Sequence, residues 1–376
     1  MNRILIFDEN ISGHHLEYIK NLHQKAIHTP NAFFIFAVPE KMKEVDPRLA
    51  QSQHANISFR FLSQDECVNK KGRISAAWHG CRLIRKIVNE TKTDFLFIIL
   101  LVRYMPFLPF FVSKRTAISG IIYNIYLYNW KHYSSLQKAV NLLLYGLYRY
   151  GGNFHKLFIL NDQTAVYHLN RIWKTGRYAY LVDPYNGIED AIVKKERSQT
   201  KLTFLHFGSL ARRKGTIDIL HALTMLSKDE QQKIHVIFAG HIQEEIRKEF
   251  YLLTDELRHD VEFEIYDEFV SYKTIEELCS VSDYILIPYK NTAQSSGLIA
   301  YAAKYSVPVI GPKAGLLGRL IKKYGLGILL DNSDGISICH AIQNALKTKP
   351  YKAGNTYLAS RTVDRFGSQI VDGILS

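Results

Sequence analysis

The chain has 376 residues, of which 48 are Lys or Arg and 35 are Asp or Glu, so its net charge is 48 − 35 = +13 with neutral histidines. Its 47% hydrophobic share is that of a globular protein with sizeable cores, and at about 100 to 200 residues per domain the length indicates two domains. Disordered, collagen-like and coiled-coil chains are excluded, and four scattered cysteines without paired spacing fit a reducing cytosol.

Two apolar stretches in the first half do not predict membrane insertion. The first, residues 4–7, is too short for a signal peptide. The second, residues 95–112, is interrupted by Arg103 and two prolines, whereas a spanning helix needs about 20 mostly apolar residues. We therefore predict a buried strand over residues 95–102.

Strand-length apolar runs alternate with helix-period stretches along the whole chain, as in the βα units of doubly wound sheets. In the first half the predicted strands are residues 3–7, 33–38, 57–61, 95–102, 118–127, 156–160 and 178–182, and the predicted helices are 14–25, 74–89 and 133–150. In the second half the predicted strands are 202–207, 234–239, 261–265, 284–287, 307–310 and 327–330, and the predicted helices are 216–226, 243–253, 275–280 and 296–305. A Pro and an Asn-Gly pair at 184–187 separate the halves. This predicts an α/β chain of two Rossmann-like doubly wound domains facing a cleft.

Basic residues concentrate in the first half of the chain. Residues 1–190 hold 24 basic and 14 acidic residues, a net charge of 24 − 14 = +10, which leaves +3 for the rest. Between residues 95 and 182 the only acid is Asp162, and ten basic residues are mixed with many tyrosines. Such a surface suits the anionic face of a bilayer, and nucleic acid would satisfy the same electrostatics. The alternative is that the rings are core and the charges only solvate the surface.

The first candidate site follows the first predicted strand, in residues 8–15. Gly13 allows the backbone to approach a ligand, and the next helix offers amide donors to an anion or a hydroxyl. His14 and His15 stand at the carboxyl end of the strand, where acid–base or hydroxyl-binding roles fit. An ordinary turn and a solvated helix start are the alternatives.

The second candidate site is the loop of residues 207–215, directly after the first strand of the second half. Its sequence, Phe-Gly-Ser-Leu-Ala-Arg-Arg-Lys-Gly, places three cations beside two glycines. The backbone can approach a diphosphate there, and Arg212, Arg213 and Lys214 can neutralise the phosphate oxygens. A solvated loop is the alternative.

The third candidate site is the loop of residues 291–297, between the strand that ends at Pro288 and an Ala-rich helix. Ser295 or Ser296 would cap that helix, and its free amides would point to where an anion can be held. The alternative is a well-capped helix without a ligand.

Together these residues resemble the GT-B glycosyltransferases, specifically the large retaining group called family four or group one. The resemblance covers nearly the whole chain and is most specific after residue 180. The matching motifs are the Asp-Pro-Tyr-Asn-Gly turn at 183–187, the glycine and lysine loop at 208–215, the Ser-Asp-Tyr-Ile-Leu-Ile-Pro strand at 282–288, the Ser-Val-Pro-Val-Ile strand at 306–310, the last helix at 361–366 and the first loop at 12–15.

The resemblance implies an acceptor-binding domain at residues 1–183, a nucleotide-sugar donor-binding domain at 184–355 and a helix at 356–376 that crosses back to the first domain. It also implies transfer of a sugar, of the hexosyl type, from a nucleotide-diphosphate donor to a hydroxyl acceptor with the anomeric configuration retained. Lys214 matches the lysine that neutralises the donor diphosphate. Ser209 replaces the arginine of that loop, so Arg212 or Arg213 is expected to supply the missing charge.

The chain departs from the family at the two glutamates, eight positions apart, that hold the donor sugar and the ribose. Alignment on the Pro-Val-Ile strand puts Ala293 and Tyr301 at these positions, and alignment on Gly297 puts Gln294 and Ala302 there. Neither alignment supplies a glutamate. We therefore expect the amides of residues 295–297 to make the phosphate contact.

The predicted catalytic residues are Lys214, Arg213 and His14. The predicted donor contacts are Gly13, Gly208, Ser209, Arg212, Lys214, Gln294, Ser295, Ser296, Gly297 and Tyr301. The sequence has no Asp-x-Asp triplet for a metal-bound diphosphate, so we predict a metal-independent reaction without a cofactor.

We predict a cytoplasmic glycosyltransferase, peripheral on the inner face of the cell membrane, that builds cell-surface polysaccharide on a glycan or lipid-linked acceptor. The alternative is a catalytically silent nucleotide-sugar-binding partner of another transferase, which the missing glutamates suggest. A nucleic-acid-binding protein is a third possibility that the charge permits. No recognition motif supports it, so we expect no nucleic-acid partner.

Overall fold

The computed structural model describes residues 1–67, 72–123, 125–187, 200–348, 353–354 and 356–376. The chain divides into two compact units, the first comprising Met1–Pro184 and Thr362–Ser376 and the second comprising Tyr185–Arg361. The predicted segments end at residues 183 and 355, which is one and six residues before these joins. Residue 355 itself lies outside the described residues.

In the first unit, seven of the described strands form one parallel sheet. They are β1 (Asn2–Phe7), β2 (Ala32–Pro39), β3 (Ile57–Leu62), β4 (Phe95–Ile98), β5 (Ala117–Ile122), β6 (Phe154–Leu160) and β7 (Tyr178–Leu181). Their order in the sheet is β3-β2-β1-β4-β5-β6-β7. Residues of β1 and β2 are buried almost without interruption, which is typical of parallel strands covered on both faces.

Helices cover both faces of this sheet. They are α1 (His14–Ile27), α2 (Met42–Val45), α3 (Pro47–Ala50), α4 (Arg73–Thr91), α5 (Leu108–Phe111), α6 (Ser135–Tyr150) and α7 (Gln163–Ile172). One face packs against α4, α5, α6 and α7, through buried residues such as Ile84, Tyr145 and Leu169. The other face packs against α1 and the carboxyl-terminal helix, through residues such as Leu22 and Phe366.

The second unit repeats the arrangement with six described strands in a parallel sheet. They are β8 (Leu202–Phe207), β9 (Ile234–Ala239), β10 (Glu262–Tyr266), β11 (Tyr284–Leu286), β12 (Val309–Pro312) and β13 (Gly327–Leu330), in the order β10-β9-β8-β11-β12-β13. The helices are α8 (Thr216–Thr224), α9 (Lys228–Gln231), α10 (Glu244–Leu257), α11 (Tyr272–Val281), α12 (Leu298–Tyr305), α13 (Gly315–Tyr324) and α14 (Gly335–Lys347), and α15 (Val363–Leu375) completes the first unit. Because β8 and β11 are neighbours, the loops that follow them leave the same edge of the sheet.

Two predicted strands are longer than the real ones. The strand predicted over residues 95–102 ends at Ile98, and the one predicted over 118–127 ends at Ile122. The apolar pattern continues past both strand ends because short 3-10 turns there bury Leu101 and Tyr126. An apolar run therefore reports burial and not backbone conformation.

Of the helices longer than four residues, α7, α13 and α14 were not predicted from the sequence. Asp162 and Asp334 accept backbone N–H bonds at the starts of α7 and α14, so an N-cap signal was present for both helices. The helix α13 contains Gly315 and Gly318, which lower its intrinsic helix propensity. Its formation therefore depends on packing. No described helix combines the length and the apolar character needed to cross a bilayer.

Candidate functional site

The loop after β8 is held in a tight backbone conformation. Gly208 has a φ of +90°, and its N–H donates to the carbonyl oxygen of Ala239 at 2.9 Å. Gly240 has a φ of +142°, and a Cβ atom there would lie 2.0 Å from the carbonyl oxygen of Gly208. A Cβ atom at Gly208 itself would lie 2.8 Å from Nζ of Lys214. Glycine is needed at both positions, because a side chain would strain the backbone and displace its neighbours.

Buried groups anchor the cationic turn Arg212–Lys214. The turn ends at Gly215, which has a φ of +76° and whose Cβ atom would lie 2.5 Å from the carbonyl oxygen of Pro288. His206 of β8 is fully buried; its Nε2 lies 3.0 Å from Oγ1 of Thr216, and its Nδ1 lies 2.8 Å from a carbonyl oxygen of β11. Burial lowers the pKa of His206 to about 4. At neutral pH it is therefore an uncharged support for the turn.

Lys214 is half-buried, and its ammonium lies over an aromatic ring. Nζ of Lys214 lies 5.3 Å from the centre of the Tyr289 ring. Among the residues that the structure describes, no carboxylate forms an ion pair with it. Burial, and then the charge of Arg213, lower the pKa of Lys214 to about 8. A partly desolvated cation without a counter-ion is suited to bind an anion.

The two arginines beside Lys214 have different surroundings. Arg212 forms an ion pair with Glu249 of α10, and this hydrogen-bonded partner raises the pKa of its guanidinium. Arg213 is exposed and has no carboxylate partner within the described part of the chain. Ser209 is exposed, and its hydroxyl accepts a bond from Nε2 of Gln243 at 3.0 Å. Of the two arginines, Arg213 is therefore the one available to a ligand.

The loop of residues 291–297 meets the β8 loop at Tyr289. Oγ of Ser296 lies 3.5 Å from Oη of Tyr289, whose ring contacts the Lys214 ammonium. The same Oγ accepts the backbone N–H of Leu298 at 3.3 Å, at the start of α12. For the N–H groups of Ser296 and Gly297, no acceptor lies among the described residues. The Ser296 hydroxyl and the Lys214 ammonium thus both contact Tyr289.

The other predicted contacts in this unit are spread around that centre. Gln294 is exposed and Ser295 is half-buried, both in the same loop as Ser296. Tyr301 lies in α12, where its ring packs against Tyr185 at 5.3 Å and against Phe207 at 5.9 Å between ring centres. Tyr301 therefore belongs to an aromatic cluster. It supplies a ring at a position where one alignment with the family expects a glutamate.

A buried glutamate near this cluster was not predicted from the sequence. Glu276 of α11 has no exposed surface; its Oε1 accepts the hydroxyl of Tyr185 at 2.5 Å, and its Oε2 lies 2.9 Å from Nζ of Lys304 and 2.8 Å from Oη of Tyr305. Burial, and then the hydrogen bonds to Glu276, raise the pKa of both tyrosines. The available signal was the spacing of Glu276 three positions before the buried Cys279. This enclosed carboxylate serves to hold α11 and α12 together.

In the first unit, Asp8 and His15 form a pair at the carboxyl end of β1. Nδ1 of His15 lies 2.5 Å from Oδ2 of Asp8, and Oδ1 of Asp8 accepts the N–H of Asn10 at 2.9 Å. Asp8 is only 4% exposed, and this burial raises its pKa although His15 and the Asn10 N–H favour the ionised form. A buried acid that orients a half-exposed imidazole is suited to bind a hydroxyl or to move a proton.

His14, the histidine predicted to be catalytic, has a different environment. It is exposed and stacks on the ring of Tyr18 at 6.2 Å. Gly13 precedes it with a φ of +56°, and no described atom lies within 4 Å of the place its Cβ would take. His14 and His15 both follow β1, but successive side chains of a helix point in different directions, and only His15 contacts Asp8.

The structure thus divides the predicted site between the two units. Gly13 and His14 belong to the first unit, and the remaining residues belong to the second. The residues that it brings around Tyr289 or its contact Lys214 are Gly208, Arg213, Lys214 and Ser296, and Gly297 follows Ser296 in the chain. Arg212 and Ser209 share their loop but bind side chains of α10 and its N-cap. Within the described residues, no group of three or more His, Cys, Asp or Glu is placed to hold a metal ion.

Residues 188–357 match the sequence family described as glycosyl transferases group 1. The match includes the β8 loop and the loop of residues 291–297. The second unit belongs to the group 1 glycosyl transferases. The chain is therefore a glycosyltransferase, in agreement with the resemblance of its motifs. No curated protein sequence matches the chain.

Solved glycosyltransferase structures share the fold of the whole chain. Anabaena Alr3699/HepE, in complex with UDP and glucose, superposes with a TM-score of 0.68 at 14% identity, over 99% of each chain. WaaG, a glycosyltransferase involved in lipopolysaccharide biosynthesis, gives 0.67 at 14% identity over 99% of each chain. The lipopolysaccharide outer core galactosyltransferase WaaB gives 0.67 at 12% identity, over 100% of this chain and 99% of that one. At this identity the likeness establishes the fold, which is GT-B.

This glycosyltransferase has neutral residues where group 1 members have their paired glutamates. In one alignment Ala293 is buried and Tyr301 packs in the aromatic cluster. In the other, Gln294 is exposed and Ala302 is buried. No carboxylate stands at either pair of positions.

Proposed function

We propose that the protein transfers a sugar from a nucleotide-diphosphate donor to a hydroxyl of a glycan or lipid-linked acceptor, with retention of the anomeric configuration, in cell-surface polysaccharide biosynthesis. The observation that carries the proposal is Lys214, an ammonium without a described counter-ion, set between two glycine-containing loops of a group 1 domain. Two structural neighbours support a uridine donor, because HepE was solved with UDP and glucose and S. aureus MnaA with UDP. WaaG supports the biosynthetic role.

Lys214 and Arg213 bind the donor diphosphate in this proposal. Ion-assisted hydrogen bonds from these cations are about twice as strong as neutral ones. The N–H groups of Ser296 and Gly297 add two donors at the start of α12, where the helix dipole favours negative charge. Because Gly208 has no side chain, the phosphates can approach its backbone closely.

The remaining predicted donor contacts play smaller roles in this proposal than Lys214 and Arg213. Ser209 and Gln294 are exposed polar groups at the edges of the two loops, where they can bind hydroxyls. Ser295 offers a further polar group beside Ser296. The ring of Tyr301, a residue of α12, packs against Tyr185 in the aromatic cluster. Arg212 is engaged by Glu249, so Arg213 supplies the charge that the loop lacks.

The reaction needs a leaving group more than a protein nucleophile. The bond between the anomeric carbon and the phosphate oxygen breaks, and a bond from that carbon to the acceptor oxygen forms. The acceptor proton passes to a diphosphate oxygen, whose growing charge Lys214 and Arg213 stabilise. Positioning of the two substrates supplies the rest of the rate. We propose that no metal takes part; activity that disappears with chelator and returns with manganese would contradict this.

Gly13, His14 and the pair of Asp8 and His15 are the polar groups that we propose for the acceptor side, since they follow β1 of the first unit. The basic surface of this unit supports a cytoplasmic location, peripheral on the inner face of the cell membrane. The acceptor would then be reached at the bilayer surface.

A thermal-shift titration with UDP, GDP, ADP, CMP and their sugars tests the donor site. We expect one nucleoside diphosphate to raise the melting temperature and the rise to disappear in Lys214→Ala. Lys290→Ala is the matched control, because Lys290 follows Tyr289 directly but is held by Asp218 at 2.9 Å. If no nucleotide raises the melting temperature, or if the control loses the effect as well, the donor site is wrong.

A catalytically silent nucleotide-sugar-binding partner of another transferase is the second candidate function. The absence of a carboxylate at both aligned pairs of positions favours it, because family members use these glutamates on the donor sugar and ribose. Slow donor hydrolysis by the purified protein, abolished in Lys214→Ala, would support the enzyme. Tight donor binding without turnover, with or without glycan acceptors, would support the silent partner.

A further inference from the structure

The first unit exposes large apolar side chains on one helix layer. This layer consists of α4, α5, α6 and α7, which cover one face of the sheet. Of the described residues, those on the layer that are exposed are Ile74, Trp78, Phe110, Leu136, Val140, Leu142, Leu143, Tyr150, Tyr167 and Ile172. The helices on the opposite face expose only Val45 among the described large apolar residues. Apolar exposure confined to one layer marks an interaction surface.

The exposed residues of α6 form a stripe that faces away from the core. Leu136, Val140, Leu143 and Tyr150 recur at intervals of four, three and seven, which places them on one side of the helix. Leu136 is 74% exposed and Leu143 is 60% exposed, whereas Tyr145 on the opposite side is buried. A surface helix of a globular protein normally buries its apolar side in the core and exposes a polar side to solvent. We call these four exposed residues the α6 stripe.

The ends of α4, α5 and α6 lie close together, which extends the stripe. Gly152, just after α6, lies against Pro109 of α5, because a Cβ atom on it would be 3.4 Å from the Pro109 ring. Trp78 of α4 meets Phe107 and Phe111 edge to face, with ring centres 5.3 and 4.7 Å apart. Trp78 also lines an open apolar pocket of about 630 Å³ at the start of α4. Aromatic rings of this kind favour the interface between a bilayer and water.

The charges exposed between residues 95 and 182, a stretch that includes α5, α6 and α7, have one sign. Asp162 is the only acid between residues 95 and 182, and it is buried at the start of α7, where its Oδ1 accepts the N–H of Ala165 at 2.9 Å and its Oδ2 accepts the hydroxyl of Tyr128. This stretch therefore exposes no carboxylate among its described residues. Its exposed cations are Lys114, Arg115, Lys131, Arg171 and Lys174.

We propose that the α6 stripe and the cations around it bind the surface of an anionic lipid bilayer. Exposed aliphatic side chains match acyl chains, and the cations match lipid phosphates, each near-surface Lys or Arg strengthening binding about fivefold. Nucleic acid would leave the leucines unmatched. A second copy of the chain would set like charges against each other across a symmetric interface. This inference specifies the membrane part of the proposed function and is independent of the donor site.

Vesicle flotation at low salt tests the proposal. The full-length protein should bind vesicles of phosphatidylglycerol and phosphatidylcholine and ignore vesicles of phosphatidylcholine alone. The double variant Leu136→Glu with Leu143→Glu should bind at least about tenfold more weakly, because two charged side chains replace two leucines that would insert into the bilayer. Lys131→Glu with Lys174→Glu should weaken binding by about 25-fold or more, from about fivefold for each cation.

Leu252→Glu is the matched control, because Leu252 of α10 in the second unit is 62% exposed. It should bind vesicles as the unchanged protein does. Equal vesicle binding by the stripe variant and the control would overturn the proposal. It would also be overturned if the stripe variant lost affinity for duplex DNA or changed the oligomeric state with vesicle binding unaffected. The nucleotide-induced thermal shift, measured on the same variants, reports the donor site separately.

Discussion

The ammonium nitrogen of Lys214 lies 5.3 Å from the centre of the Tyr289 ring, and the two residues belong to loops that follow neighbouring strands. The ring face attracts the cation and shields it from water without neutralising it. Burial raises the pKa of Tyr289 to about 12, so its hydroxyl stays protonated near Ser296. The β8 loop and the loop of residues 291–297 are thereby held at one point of the second unit.

Donor affinity should fall as the pH rises above about 8. Burial lowers the pKa of Lys214 to about 8 in the free protein, so above this pH the neutral amine increasingly replaces the ammonium that pairs with the diphosphate. The dissociation constant should rise with a slope approaching tenfold per pH unit, and binding near pH 8 should take up a proton. Calorimetric titrations from pH 7 to 9.5 measure both. Lys214→Arg should lack this dependence, because a guanidinium stays charged.

The two arginines of the β8 loop should differ in their effect on nucleotide binding. Arg213→Ala should weaken affinity for the nucleoside diphosphate about tenfold, because an exposed cation without a described partner is lost. Arg212→Ala should change affinity by less than about twofold, since Arg212 is held by Glu249 and an exposed ion pair contributes little. Isothermal titration of both variants makes the comparison. The reverse order would show that Arg212 leaves Glu249 to bind the donor.

Gly208→Ala should abolish nucleotide binding with a moderate loss of stability. The new Cβ would lie 2.8 Å from Nζ of Lys214 and would displace the ammonium. The left-handed backbone should cost about 1 to 2 kcal/mol of unfolding free energy. Gly325→Ala is the control, because its φ is +58° and no described atom lies within 4 Å of its Cβ position. It should carry the strain and keep the nucleotide-induced thermal shift; loss of that shift in both variants would refute the steric explanation.

His15→Ala should destabilise the protein by about 3 kcal/mol at pH 7, because the Asp8 carboxylate remains buried without the imidazole. His14→Ala should change the unfolding free energy by less than about 0.5 kcal/mol, since His14 is exposed. Urea unfolding measures both variants.

The deficit of His15→Ala should also depend on pH. Burial raises the pKa of Asp8 above its ordinary value, so the folded variant takes up a proton more readily than the unfolded chain as the pH falls. The penalty of the buried charge is thus relieved in acid and complete at neutral pH. We expect a smaller deficit at pH 4 than at pH 7. An equal deficit at both pH values would mean that lost packing, and not the charge of Asp8, causes the destabilisation.

Much of the fold could be read from the sequence because its signals are local. The apolar runs of β1 and β8 predicted both strands to within one residue at either end. Since parallel strands present their carboxyl ends at one edge of a sheet, the loops at 207–215 and 291–297 were also recognisable as candidate sites. The helices α7, α13 and α14 were not predicted. A single capping Asp was the local signal for α7 and α14, and two glycines weaken the helix propensity of α13, so their formation depends on packing.

The sequence by itself determined the two-domain α/β class, the two loops after β8 and β11, the glycine and lysine content of the first loop and the missing glutamates. The tertiary structure decided which member of each candidate pair is engaged. It paired Asp8 with His15 and left His14 exposed, and it paired Arg212 with Glu249 and left Arg213 open to solvent. It also turned the α6 stripe outward. Adjacent residues of like type are equivalent in a sequence, whereas a hydrogen bond or an ion pair depends on helix phase and on distant partners, such as Glu249, which lies 37 positions after Arg212.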